Sequence, residues 1–227
     1  MKRKIIISLF VLLGLFGLLF ILSLAGIWKV SKAVGAANEP AIVVGQRFAY
    51  SKLVKPDRYD IIIFKRDDPF LGENLAFQYR LIGLPGDKIE FRNGSAFVNG
   101  DSIDQQLVLK HMYAIDHETF SLEKDRLNFR ENELQVGEND SVYINLLDSN
   151  VFNQKLPARR MGRANATLPD SLFEKQDPDW SIDDFGPIVV PPNSFFVLGD
   201  NRDFSSDSRY IGFVTAASLA GTVVWKF

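Results

Sequence analysis

The chain has 227 residues, of which 46% are hydrophobic and 24% charged, and its formal net charge is −2. That length suits one large domain or one domain with an insertion; the composition excludes a disordered or fibrous chain, and the near-zero charge gives no electrostatic footprint for nucleic acid. Cysteine is absent, which removes disulfides, thiol chemistry and thiolate metal ligands and leaves the redox compartment open.

The first element follows Lys2-Arg3-Lys4. Residues 5–28, IIISLFVLLGLFGLLFILSLAGIW, carry no charge. A helix rises about 1.5 Å per residue, so roughly 20 apolar residues cross the hydrocarbon of a bilayer, and a transmembrane helix is predicted here. The rival is a cleaved signal peptide, with Gly35-Ala36-Ala37 as small residues near a cut. Its apolar stretch runs about 7–15 residues, much shorter than this one. Three basic residues before the span and Lys29 and Lys32 after it favour a cytoplasmic N-terminus, with the rest of the chain outside the cytoplasm.

Beyond the anchor the signal is β. Short apolar runs rich in β-branched and aromatic residues appear at RYDIIIFK (58–65), LAFQYRLIG (75–83), SVYINLL (141–147), FFVLG (195–199) and GTVVWKF (221–227), each bounded by turn residues. In KIEFRNGSAFVNGDSI (88–103), Asn93-Gly94 and Asn99-Gly100 permit the positive φ of tight hairpin turns. The nineteen phenylalanines supply apolar bulk for a core. Residues 104–180 differ: LEKDRLNFRENEL (122–134) mixes charges and MGRANATLPDS (161–171) reads as loop. The predicted organisation is a basic N-terminus (1–4), a transmembrane helix (5–28), and a mostly antiparallel β domain from 29–103 and 181–227. A subdomain of short helices and irregular strands (104–180) interrupts that β domain.

Three stretches carry a family resemblance: NEPAIVVG (38–45), YRLIGLPGDKIEF (79–91) and LGDNRDFSSDSRYIGFV (198–214), in that order behind an anchor. Extended by WSIDDFGPIVVPPNSFFVLGDNR (180–202), they resemble type I signal peptidase (peptidase S26 family), the membrane-bound serine protease that removes signal peptides from exported proteins. The likeness covers the anchor, residues 37–100 and residues 180–227, and leaves most of 104–180 unmatched. It implies an extracytoplasmic fold of antiparallel sheets, in agreement with the strand reading, and a serine–lysine dyad without a cofactor. In that chemistry a serine hydroxyl attacks the peptide carbonyl and a lysine takes its proton. The lysine must be neutral, hence desolvated, since its ordinary pKa is about 10.4. A backbone N–H and a nearby hydroxyl stabilise the oxyanion.

The motif Ser-Met-x-Pro-Thr-Leu-x-x-Gly-Asp, in register at Pro40 and Gly45, puts Ala37 at the nucleophile position. It puts Asn38 at the methionine and Gly35 at the auxiliary hydroxyl. In the second motif the base position, just before Arg80, is Tyr79. Nucleophile, base and oxyanion hydroxyl are all replaced. Among supporting positions, Asp207 and Arg209 are expected to pair with Arg80 close by, and Ser205 matches the serine that orients the lysine in active relatives. Gly83, Pro85, Gly86 and Asp87 read equally well as a turn, as do Gly199, Asp200 and Asn201. These motifs speak for a fold more than for catalysis.

Ser31, Ser51, Lys52 and Lys65 are the other hydroxyls and amines near the motif, and each also reads as ordinary surface or strand chemistry. Tyr79 is a poor proton acceptor at its ordinary pKa of about 10. His111 and His117 lack a third ligand, so no metal site is expected. Asn93-Gly94-Ser95 and Asn165-Ala166-Thr167 match the glycosylation pattern, which also arises by chance.

Three functions compete. The first is an inactive peptidase that holds an extended or signal-peptide-like segment, or assists an active peptidase. The second is an active serine endopeptidase using rearranged residues, and the third a structural membrane protein with Tyr79 filling the groove. Candidate partners are the lipid bilayer, signal peptides or exported preproteins, and an active signal peptidase.

Overall fold

The computed structural model describes residues 2–24, 27–68, 72–127, 129–137, 140–162 and 180–227. In chain order it begins with α1 (Lys2–Leu24), β1 (Trp28–Lys32), β2 (Arg47–Ser51), β3 (Ile61–Asp68) and β4 (Gly72–Gly83). There follow β5 (Lys88–Arg92), β6 (Ser95–Val98), β7 (Asp101–Ser102), β8 (Lys110–Asp116) and α2 (His117–Glu123). Next come β9 (Leu134–Val136), β10 (Ser141–Leu147), α3 (Asp148–Gln154) and β11 (Arg159–Arg160). The chain closes with β12 (Phe185–Val189), β13 (Ser194–Leu198), α4 (Ser208–Ile211), β14 (Val214–Thr215) and β15 (Leu219–Lys226). The described chain is mostly β.

A seven-stranded antiparallel sheet, ordered β1-β2-β15-β3-β4-β13-β14, forms the body. The run Ile61-Ile62-Ile63-Phe64 lies in its centre and is buried throughout. Side chains of a strand alternate between faces, so this run feeds two cores. Ile61 and Ile63 join Phe48, Ile42 and Ala220 on one side; Ile62 and Phe64 join Tyr79, Leu81, Phe195 and Val197 on the other. That double burial is why the strand reads as continuously apolar rather than alternating.

A second sheet, β12-β5-β6-β7, packs Ile89, Phe91 and Phe185 with Ile82 and Phe196. Its two reversals use the turns expected from sequence: Asn93 and Gly94 have φ of 48° and 71°, and Asn99 and Gly100 of 54° and 92°. Two consecutive positive φ values match the right-handed twist of the strands they join.

The third sheet, β11-β8-β10-β9, comes from residues 110–160 and carries its own core of Tyr113, Ile115, Ile144, Leu146 and Val151. Asp116 caps α2 by accepting from the Thr119 N–H at 2.7 Å. The mixed-charge run 122–134 contains the end of α2, a single 3₁₀ turn at Glu131–Glu133 and the first residue of β9. Most of the expected 161–171 loop, and with it Asn165-Ala166-Thr167, lies outside the described residues.

α1 spans 23 residues and exposes large apolar side chains such as Phe10 at 70% and Phe16 at 72%. Among the described residues, no helix is long and apolar enough to cross a membrane, so the transmembrane helix expected over 5–28 is not shown.

Candidate functional site

Between β1 and β2 the chain makes a compact bend that presents Ala37. The Glu39 N–H donates to the Ala36 carbonyl at 3.0 Å and the Ile42 N–H to the Asn38 carbonyl at 2.9 Å. At the bend's end the Gly45 N–H returns to the Ala33 carbonyl at 2.8 Å. Gly45 sits at φ +88°, a backbone that a Cβ would strain. Asn38 is fully buried and donates its amide to the Gln78 carbonyl at 2.7 Å, tying the bend to β4 one residue before Tyr79. The Asn201 N–H donates to the Ala37 carbonyl at 3.0 Å. Ala37 itself is half-buried against the core shared by Phe64, Tyr79 and Leu81.

Tyr79 is only 5% exposed, with its ring 6.0 Å from that of Phe64. Burial pushes its phenol well above the ordinary value, and the Asp207 charge adds to the rise; the Ser206 backbone N–H acts more weakly in the other direction. A phenol in that setting stays protonated at neutral pH and cannot accept a proton as a base.

Beside it, Asp207, Arg209 and Ser205 form a dry knot. Arg209 donates through Nε to Asp207 Oδ1 at 2.9 Å and through Nη2 to Oδ2 at 2.9 Å, and also to the Arg202 carbonyl at 2.6 Å. Asp207 accepts from the Ser205 hydroxyl at 2.5 Å and the Gly199 N–H at 3.0 Å. Burial by itself would raise the Asp207 carboxyl; the Arg209 charge and these hydrogen bonds outweigh it and hold it below the ordinary value. Gly199 is where the knot meets the bend: a Cβ there would fall 2.4 Å from Ser205 Cβ and 2.5 Å from the Ala37 carbonyl oxygen.

Arg80 grips Asp200 rather than Asp207 with both ends of its guanidinium, Nε to Oδ1 at 2.6 Å and Nη2 to Oδ2 at 2.5 Å. Its Nη1 donates to the Tyr59 carbonyl at 2.5 Å. The physical reason is alternation: Arg80 follows Tyr79 on β4 and so faces the opposite side of the sheet. The Gly83–Asp87 stretch is a turn, closed by the Leu84 N–H donating to Asp87 Oδ2 at 2.6 Å and braced by an Arg58–Asp87 ion pair at 2.9 Å.

The structure thus gathers Ala37, Tyr79, Gly199, Asn201, Ser205, Asp207 and Arg209 at one place. Asp200 lies alongside with Arg80, and Pro85, Gly86 and Asp87 stand in their turn at the end of β4. Pro40 and Gly45 shape the bend. The other hydroxyls and amines are engaged or exposed elsewhere: Ser51 donates its hydroxyl to the Ile27 carbonyl at 3.0 Å, and Ser31, Lys52 and Lys65 are exposed. His111 is buried with Nδ1 2.7 Å from Asp148 Oδ1, and among the described residues no cluster suits a metal ion.

A match to the signal peptidase, peptidase S26 family extends over residues 3–227. The chain belongs to the signal peptidase family.

Signal peptidase I of Buchnera aphidicola (subsp. Schizaphis graminum) is 29% identical over 188 residues, 77% of this chain and 55% of that protein. Signal peptidase I S of Bacillus subtilis is 26% identical, over 75% of this chain and 59% of its own length. The chain therefore spans little more than half the length of these relatives. Signal peptidase I of Streptococcus pneumoniae is 24% identical, over 94% of this chain and 90% of its own. A crystal structure of a signal peptidase I from Enterococcus faecalis V583 aligns at a TM-score of 0.35 and 27% identity, covering 75% of this chain and 98% of that one.

One feature escaped the sequence reading. Glu39, in the bend after Ala37, is 4% exposed and meets Lys110 and Arg130 from the 104–180 segment. A lone carboxylate inside the apolar NEPAIVVG was the available signal; nothing near Lys110 or Arg130 in sequence names its partner.

Proposed function

We propose that this chain is a catalytically inert signal peptidase family member that holds an extended, signal-peptide-like segment beside Ala37, anchored to a membrane by α1 with its β domain extracytoplasmic. The observation that carries the reading is the pair of side chains at the two dyad positions. Ala37 offers a methyl group where a serine–lysine enzyme needs a nucleophilic oxygen. Tyr79 offers a buried, protonated phenol where that enzyme needs a neutral amine. Without a nucleophile, no tetrahedral intermediate forms for the remaining groups to stabilise.

Holding a peptide needs less. β1 is an outer strand of the seven-stranded sheet and Lys29–Lys32 along it are exposed, so main-chain pairing along that edge can supply affinity and small side-chain pockets selectivity. The exposed apolar side chains of α1 are left for lipid to cover. Assistance to an active peptidase is a natural extension, because an inert copy that binds the same segments can deliver or retain them.

The test is cleavage and binding of a preprotein with small residues at −1 and −3, using the detergent-purified full chain and an Ala37→Ser/Tyr79→Lys variant. The expected result is binding without cleavage by the natural chain and some cleavage by the variant. Site-specific cleavage by the natural chain that disappears on replacing Ser51 or Lys52 would establish the active alternative. Absence of binding by either chain leaves a structural membrane role.

A further inference from the structure

Four charges of alternating sign are packed where the 104–180 segment meets the Ala37 bend. Glu39 Oε1 accepts from the Val44 N–H at 3.1 Å, so one oxygen closes the bend on itself. Glu39 Oε2 accepts from Arg130 Nη2 at 2.5 Å and lies 3.6 Å from Lys110 Nζ. Lys110 Nζ also bonds Glu133 Oε1, and Glu133 accepts from the Arg130 guanidinium at 2.9 Å and from the Arg130 N–H at 2.7 Å. Glu39, Lys110 and Glu133 are each under a tenth exposed. Two carboxylates and two cations cancel, which is the condition for burying charge at tolerable cost.

Lys110 reaches the bend by a second route. Its backbone N–H donates to the Asp200 carbonyl at 3.0 Å and it forms a parallel bridge with Asn201. The Asn201 N–H in turn holds the Ala37 carbonyl. One residue at the start of β8 therefore grips both ends of Ala37–Glu39, by its side chain at Glu39 and through Asn201 at Ala37. The 104–180 segment is not a bystander to the site.

We infer that Glu39, Lys110 and Arg130 are positioning residues through which the 104–180 segment sets the pose of the Ala37 bend and so the affinity for a peptide bound there. This rests on the peptide-holding reading above. Neutralising Lys110 leaves Glu39 with Arg130 alone, frees the bend to shift, and weakens the peptide without touching it.

The experiment measures two quantities on the full chain in detergent: hydrogen exchange of the Val44 and Asn201 amides, and affinity for a synthetic peptide with alanine at −1 and −3. In Lys110→Met both amides should exchange about tenfold faster and the peptide bind about tenfold more weakly, while amides of the β5–β6 hairpin keep their rates. Lys110→Arg, which keeps the charge, should restore both. Unchanged exchange and affinity in folded Lys110→Met overturn the inference, as does acceleration spread equally over the β5–β6 hairpin, which marks a merely structural role. Faster exchange at the two amides in a chain whose natural form binds no peptide upholds the clamp and removes the peptide-holding reading. If Lys110→Met does not fold, Glu39→Gln/Lys110→Met removes opposite charges together and is measured the same way, with unchanged exchange and affinity again overturning the inference.

Discussion

Asp207 has no exposure to solvent and accepts two hydrogen bonds from the Arg209 guanidinium, one from the Arg209 N–H, one from the Ser205 hydroxyl and one from the Gly199 N–H. Every oxygen is satisfied, so removing the charge leaves Arg209 buried without its partner. Asp207→Asn should cost about 3–5 kcal/mol, the range for breaking one side of a buried pair, measured by urea denaturation. The pH dependence has a definite sign. The folded carboxyl titrates below its ordinary 3.8, so the stabilisation is complete above that value and disappears as pH falls through the lower folded value. Acid unfolding curves of the natural chain and Asp207→Asn should therefore stay apart above about pH 4, draw together below it, and meet only below the lower folded value. Tyr79 works at the same scale: its phenol ring, packed among Phe64, Leu81 and Val197, contributes to the core.

Glycines decide how the elements touch. Gly199 follows β13 directly, at the point where the bend, the Asp207 knot and the chain after β13 converge. An added methyl meets Ser205 and the Ala37 carbonyl at 2.4–2.5 Å, and neither neighbour is the far end of a flexible side chain. Gly199→Ala should destabilise by about 1–3 kcal/mol, the usual cost of overpacking. It should also disturb peptide binding, because the atom pushed aside belongs to Ala37. A thermal melt together with peptide affinity checks both. The hairpin glycines act differently, through φ rather than space. That is why Asn-Gly pairs were legible in sequence, whereas the closeness of Gly199 to Ala37, 162 positions earlier in the chain, was not.

At the scale of the whole molecule, the 104–180 segment and the β body share an interface that is ionic at its centre. Glu39→Gln and Lys110→Met should each cost about 1.5–3 kcal/mol, the range for losing a hydrogen bond to a charged group, since Lys110 keeps Glu133 in the first and Glu39 keeps Arg130 in the second; the double variant should cost less than their sum. Urea denaturation of the four chains of that cycle gives the coupling, and strict additivity would show that Glu39 and Lys110 do not interact. The packing also explains why residues 104–180, the least legible part of the sequence, hold together: β8 and β10 bury Tyr113, Ile115, Ile144 and Leu146 in a core of their own, while Lys110, Met112 and Asn145 reach across to Asp200, Asp203 and Asn201.

Sequence alone determined what is written in neighbouring residues. The apolar run at 5–28, the paired Asn-Gly turns, the strands at 141–147 and 195–199, and the identities of the residues at positions 37 and 79 all belong to that class, because period, φ preference and residue type are local properties. Tertiary structure decided what depends on partners far along the chain. Arg80 finds Asp200 across 120 positions, and Glu39 finds Arg130 across 91. Tyr79 owes its raised pKa to surroundings assembled from several strands. Charge pairing and desolvation depend on distance in space, and only the folded chain brings those groups within reach.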